Sequence, residues 1–144
     1  MTIEERFRQQ SLHYLQCFVN ECPRHETCLH WLTGQHSGVE DYALTTINPH
    51  NPDVRAGECK YYRQNVKVQY AVGFMHLFDD IPYAVAKNIK QRLINLFTRT
   101  RFYQYRNGER PIPPEQQQQI ARICQEEGWT GDIQYDGWQE DFLW

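Results

Sequence analysis

In DDIPYAVAKNIKQRLINLF, residues 79–97, apolar side chains recur at Val85, Ile89, Leu93 and Leu96, a stripe of helical period. Asp80 offers a cap, and Pro82 falls in the first turn, where a missing N–H costs nothing. A second helix is predicted over 101–107, capped by Thr98 or Thr100 and stopped by Gly108. ERPIPP then reads as a loop. A third helix starts at Pro114, gathers Ile120, Ile123 and Cys124 on one side, and ends at Gly128. Before this region the pattern is weaker. Residues 4–16 predict a short helix with Phe7, Leu12 and Leu15 on one side. Turn-rich pieces such as TGQHSG, TINPHNPD and RAGECKYY make 17–63 a loop-rich stretch. In NVKVQYAVGF the alternation of Val66 and Val68 runs into Ala71, Val72, Phe74 and Met75; strand and helix both fit, and a helix over about 69–78 is favoured.

The hydrophobic share of 40% and the aromatic share of 14% suffice for a packed core in 144 residues. No apolar run reaches membrane-spanning length, and the polar start MTIEERFRQQ lacks the features of a signal peptide, so a cytoplasmic protein without a membrane partner is expected. The net charge of −3 conceals a segregation: residues 1–63 sum to −2, 64–124 to +5 and 125–144 to −6. Seven basic residues against the single acid Glu109 lie within 87–110. A basic centre points to a polyanionic partner, with the acidic aromatic end as competitor or neutraliser.

Cysteine usage changes the picture of the loop-rich half. Cys17, Cys22, Cys28 and Cys59 follow C-x4-C-x5-C, then a gap of 30 residues, then C, while Cys124 sits apart on a helix face. In a reducing compartment such clustering suggests metal before disulfide. Four thiolates complete a tetrahedral zinc site or hold an iron–sulfur cluster, and the spacing leaves both open. His25, His30, His36 and His50 are nearby alternatives that would favour zinc. Buried free thiols or a redox pair are the competing readings.

Two resemblances add to this. LINLFTRTRFYQYRNGERPIPPEQQQQIARI, residues 93–123, resembles the phage-repressor type of helix-turn-helix: an aromatic, a polar residue and Asn-Gly close the second helix at Tyr105-Arg106-Asn107-Gly108. A proline-containing loop and Ile120-Ala121 follow in the family's order. The resemblance implies a recognition helix whose Arg99, Thr100, Arg101, Tyr103, Gln104 and Arg106 face DNA, and a possible homodimer. Phe102 and Tyr105 would anchor it. The joint Asn95-Leu96-Phe97-Thr98 lacks the family's usual glycine. CFVNECPRHETCLHW…CKYYR, and with it the whole chain, resembles an uncharacterised bacterial family, a domain of unknown function with an N-terminal four-cysteine module.

The expected architecture is therefore mainly α, a loop-rich N-terminal four-cysteine metal module packed on a helix-turn-helix-like C-terminal helical domain. The expected boundaries are 1–63, 64–128 and an acidic aromatic tail at 129–144. The expected function is DNA binding, as a transcriptional regulator, with a structural or redox-sensing metal site. The alternative is a protein-interaction module with a structural metal site. No phosphate loop, H-E-x-x-H or G-x-S-x-G is present, and no small-molecule substrate is evident, so no enzyme is expected. Asp79-Asp80 reads as a cap rather than a catalytic pair, and His76 as a core histidine.

Overall fold

The computed structural model describes residues 1–38 and 40–144. Its helices are α1 (Ile3–Ser11), α2 (Leu29–Gly34), α3 (Pro52–Ala56), α4 (Tyr83–Phe97), α5 (Arg99–Arg106) and α6 (Pro114–Glu126), with a 3-10 turn at His25–Thr27. Two strands, β1 (Lys67–Val72) and β2 (Gly137–Phe142), pair antiparallel in the register Lys67↔Phe142 to Val72↔Gly137. The mainly α expectation is thus corrected to a mixed architecture. Among the described residues no group of three or more His, Cys, Asp or Glu side chains is placed as a ready metal-holding set, which overturns the metal module as an architectural element. The favoured helix over 69–78 is also wrong. The backbone groups of 67–72 find their partners in β2, some seventy residues later, which no local pattern announces.

The chain divides into two units, the first Met1–Val66 with Leu143–Trp144, the second Lys67–Phe142. In the second unit, Ile89 and Leu93 of α4, Phe102 of α5 and Ile120 of α6 are fully buried together with Phe74 and Ile112. Phe74 meets Phe102 edge to face at 5.6 Å, and Phe97 meets Tyr105 at 5.2 Å. Ile112, held between Pro111 and Pro113, keeps the only N–H of that trio and exchanges both backbone hydrogen bonds with Ala71 of β1. That pins the proline loop to the free edge of the strand. The predicted stop at Gly108 is present, with φ +76°.

α4 and α5 are joined by Thr98 alone, which has φ 78° and ψ 157°. A helix-turn-helix uses a turn of three or four residues, so this joint departs from that motif. Asp80 does not cap α4: its N-cap is Pro82, without a side-chain hydrogen bond. His76 is not a core residue. It is exposed and meets Asp79 Oδ2 at 2.9 Å.

In the first unit, Thr2 and Glu5 form a capping box that starts α1. Phe7 stacks on His36 at 5.3 Å and meets the edge of Trp144 at 5.7 Å. A separate small cluster holds Cys17, Val19, Cys22, Ile47 and Val54, with Cys59, Leu15 and Trp31 packed against it. Cysteine thus occupies the place that larger aliphatic side chains fill in the second unit.

Candidate functional site

Backbone pairing brings the four distant cysteines of the first unit together. The N–H of Cys17 donates to the carbonyl of His30, which fixes it beside the start of α2. Cys28 bridges antiparallel to Gln64, and the N–H of Leu29 donates to Arg63 O at 2.8 Å. These contacts draw the segment after Cys59 alongside Cys28. Gly57 has φ +82°, and a Cβ there would stand 2.7 Å from Cγ of Pro23. Only glycine lets α3 end this close to Cys22-Pro23.

The result is one small cavity of about 20 Å³ lined by Cys17, Cys22, Cys28 and Cys59, together with Arg24 and His25. Cys17, Cys22 and Cys28 are buried, and Cys59 is partly exposed; all four are free thiols. Cys59 Sγ accepts the N–H of Tyr61 at 3.4 Å, and Cys17 Sγ accepts the N–H of Val19. Each is a bond from the residue two positions on, and at Cys17 it favours the thiolate. Burial outweighs it at Cys17 and pushes that thiol upward, and the neighbouring cysteines Cys28, Cys22 and Cys59 push it further. The Arg24 guanidinium lies over the Tyr62 ring at 3.7 Å, and its buried Nε has no hydrogen-bond partner. A cation with an unspent donor at a thiol-lined cavity suits negative charge developing on sulfur.

Of the four histidines weighed as alternatives, His25 alone lines this cavity; its Nδ1 is 2.8 Å from Cys22 O. His30 is held by Leu15 O at 2.5 Å and stacked on Tyr14, and burial pushes its pKa downward. His36 is engaged with Phe7, and His50 is exposed.

The six residues proposed to face DNA divide. Arg99, Thr100 and Arg101 are exposed on the first turn of α5, while Tyr103, Gln104 and Arg106 are half-buried. Gln104 O accepts the N–H groups of Glu109 and Arg110, and Tyr103 offers its ring to Lys90 and Arg99 at 5.7 and 5.5 Å. Phe102 and Tyr105 are buried as anchors. Arg92, counted in the basic segment, is bound by Glu126 and, at 3.2 Å, by Glu127, so the acidic end neutralises part of that segment. Among the described residues no helix is long and apolar enough to cross a membrane.

Sequence reasoning misses a second cavity, of about 270 Å³, between α6 and the loop that follows it. Its signal is confined to the aromatics of the acidic end, which carry no motif.

Neither the comparison with curated proteins nor that with solved structures returns a match. The sequence profile of a family of unknown function, DUF6078, matches residues 1–144 without a gap at either end, and the chain belongs to that family.

Proposed function

We propose that this protein binds a metal through the thiolates of Cys17, Cys22, Cys28 and Cys59. The observation that carries this is the convergence of four thiols, spread over 43 positions of loop-rich chain, on a single cavity of about 20 Å³. So small a space suits a single ion such as zinc rather than a four-iron cluster, and because the side chains are not placed as a ready coordinating set, the site would have to close on the ion. Binding would draw the four sulfurs into coordination and expel their protons, with Arg24 offsetting the resulting negative charge. The first unit has much to gain: among the described residues its cysteine cluster buries only Val19, Ile47 and Val54 as aliphatic side chains, with Leu15 partly buried against them, and small cores of this kind are commonly stapled by metal.

The test is metal content after purification under reducing conditions, followed by Co²⁺ titration of the stripped protein. One ion per chain, a thiolate-to-cobalt charge-transfer band and a hundredfold weaker affinity in Cys28→Ser support the proposal. No bound metal, no such band and four freely reactive thiols would refute it.

A second reading concerns DNA. It is favoured by the exposed Arg99, Thr100 and Arg101 at the open end of α5, within a segment of seven bases and one acid. These side chains suit phosphate contacts, and the one-residue joint at Thr98 separates them from repressor geometry. Anisotropy of a labelled duplex should fall steeply with salt and be abolished by Arg101→Glu in folded protein. Salt-independent behaviour, or an intact response in Arg101→Glu, would leave the protein-interaction reading in its place.

A further inference from the structure

α4 buries Ile89, Leu93 and Phe97 in the core of the second unit. Beside that stripe, Tyr83, Ala86, Lys87 and Lys90 stand at i, i+3, i+4 and i+7 and so share a face of the helix. This face is one wall of a groove of about 380 Å³, and Phe78 and Ile81, from the turns that lead into α4, supply the rest. Ile81 is buried, and Phe78 and Ala86 are half-buried against the core, which gives the groove an anchored apolar lining. Tyr83 is 83% exposed and both lysines are exposed, so a partner meets these side chains directly. An apolar patch of this kind rimmed by charge is a common form of interaction site.

The two ammonium groups are available for pairing. Arg92, two positions beyond Lys90, is bound by Glu126 and Glu127. Among the described residues no acid forms an ion pair with Lys87 or Lys90. Lys90 Nζ lies 5.7 Å from the Tyr103 ring, a contact that leaves its N–H donors open. Charge of the other sign stands before the helix. Asp79 and Asp80 are exposed and do not line the groove, and Asp79 is held by His76 at 2.9 Å. The surroundings are therefore bipolar: carboxylates precede α4, and the lysines lie about 6 and 10 Å along the helix beyond Tyr83 at roughly 1.5 Å per residue.

This arrangement selects the occupant. A nucleic-acid strand carries phosphate at every step and would bring some of it to the carboxylates. A bilayer surface does not fill a concave groove. A peptide can seat one large apolar side chain and keep its carboxylates on one side of it. We infer that the groove docks an acidic peptide segment of a partner protein, with a Phe or Leu anchor against Phe78, Ile81 and Tyr83 and carboxylates paired with Lys87 and Lys90. All of these residues belong to the second unit and none lines the cysteine cavity, so the inference is independent of metal binding.

The test is fluorescence anisotropy of labelled peptides titrated with the full chain. Two orders are used, GSGFDEEGS and GSEEDFGSG, because the lysines do not fix the direction of the peptide. At least one should bind saturably, weaken as salt rises, and bind at least tenfold tighter than its counterparts with Ala for Phe or Lys for the acids. Tyr83→Ala should weaken it about threefold to tenfold, the scale of one aromatic contact. Lys87→Glu combined with Lys90→Glu should weaken it at least tenfold; both side chains are exposed, and thermal unfolding confirms that the fold is kept. Arg101→Glu should leave it unchanged, which separates the groove from the DNA reading of α5. No saturable binding of either peptide, equal affinity for the Ala counterpart, or unchanged affinity in the double lysine variant would each overturn the inference. So would a single-stranded oligonucleotide or phosphatidylserine vesicles that bind tighter than the peptide and are lost in the same double variant, since the lysines would then serve nucleic acid or membrane.

Discussion

Replacing Thr98 by glycine should stabilise the second unit, although it removes a helix cap. Thr98 has φ 78° and ψ 157° and is the only non-glycine residue with positive φ among the described residues. That region is essentially reserved for glycine, and occupying it costs about 1–3 kcal/mol. A β-branched side chain sits there at particular disadvantage. Two losses oppose the relief. The Thr98 hydroxyl accepts the N–H of Arg101 at 3.4 Å, a long bond, and a cap exchanged for glycine costs a few tenths of a kcal/mol. Glycine's added backbone freedom costs about 0.5–1 kcal/mol. The balance is about 1 kcal/mol in favour of Thr98→Gly. Thr98→Ala keeps the strain and loses the cap, and should destabilise by about 0.5–1 kcal/mol. The two variants therefore move in opposite directions, which separates backbone strain from capping. Urea unfolding, read by hydrogen exchange of the α4 and α5 amides, measures both. A Thr98→Gly midpoint at or below that of the unmodified protein would refute the reasoning and show that the cap outweighs the strain.

Other expectations follow from the same packing. Phe102→Ala should cost about 3–5 kcal/mol, because the ring is fully buried against Phe74, while the neighbouring exposed Arg101→Ala should stay within about 0.5 kcal/mol; thermal unfolding compares them. Gly57→Ala combines a left-handed backbone with a Cβ 2.7 Å from Pro23, and should destabilise the first unit by about 2 kcal/mol or more while exchange of α4 to α6 is unchanged. The Cys124 thiol is raised from 9.0 to about 11, so it stays protonated in the folded chain while the unfolded chain ionises. Its contribution is complete below about pH 9 and is lost as pH rises through about 11, amounting to at most about 2–3 kcal/mol. Denaturant unfolding across that window should show a shallower decline for Cys124→Ala, and parallel curves would show that the thiol does not titrate as described.

Much of the helical part is legible because the signals are local. Proline at the start of α6, Gly108 after α5, and the buried Ile89, Leu93, Ile120 and Ile123 each announce themselves within a turn or two. Even there the stripe of α4 ends on Phe97 rather than Leu96, since the turn at Thr98 carries Phe97 inward and leaves Leu96 exposed. The strands are not legible. Lys67–Val72 offers an ambiguous apolar run, and its partner Gly137–Phe142 is acidic and reads as tail. α2 and α3, of six and five residues, are too short to show a period and are held by contacts around the cysteines. The cysteine spacing identifies the residues that share a cavity but not the sulfur arrangement, which depends on Gln64, Gly57 and Arg24. The cavity at Trp129 and Tyr135 is hidden because it depends on how a loop folds over a helix end.

The first unit takes back Leu143 and Trp144 after the chain has completed the second, and Trp144 lies edge-on to Phe7 and Tyr14 with Arg6 over its ring at 5.0 Å. On the ribosome this reverses the usual order of maturation. Lys67–Phe142 emerges as a continuous piece and can close its core as soon as it clears the exit tunnel. The earlier-synthesised Met1–Val66 completes its aromatic contacts at Phe7 and Tyr14 only when Trp144 arrives. A nascent chain stalled before residue 143 would lack the indole edge that meets Phe7 and Tyr14.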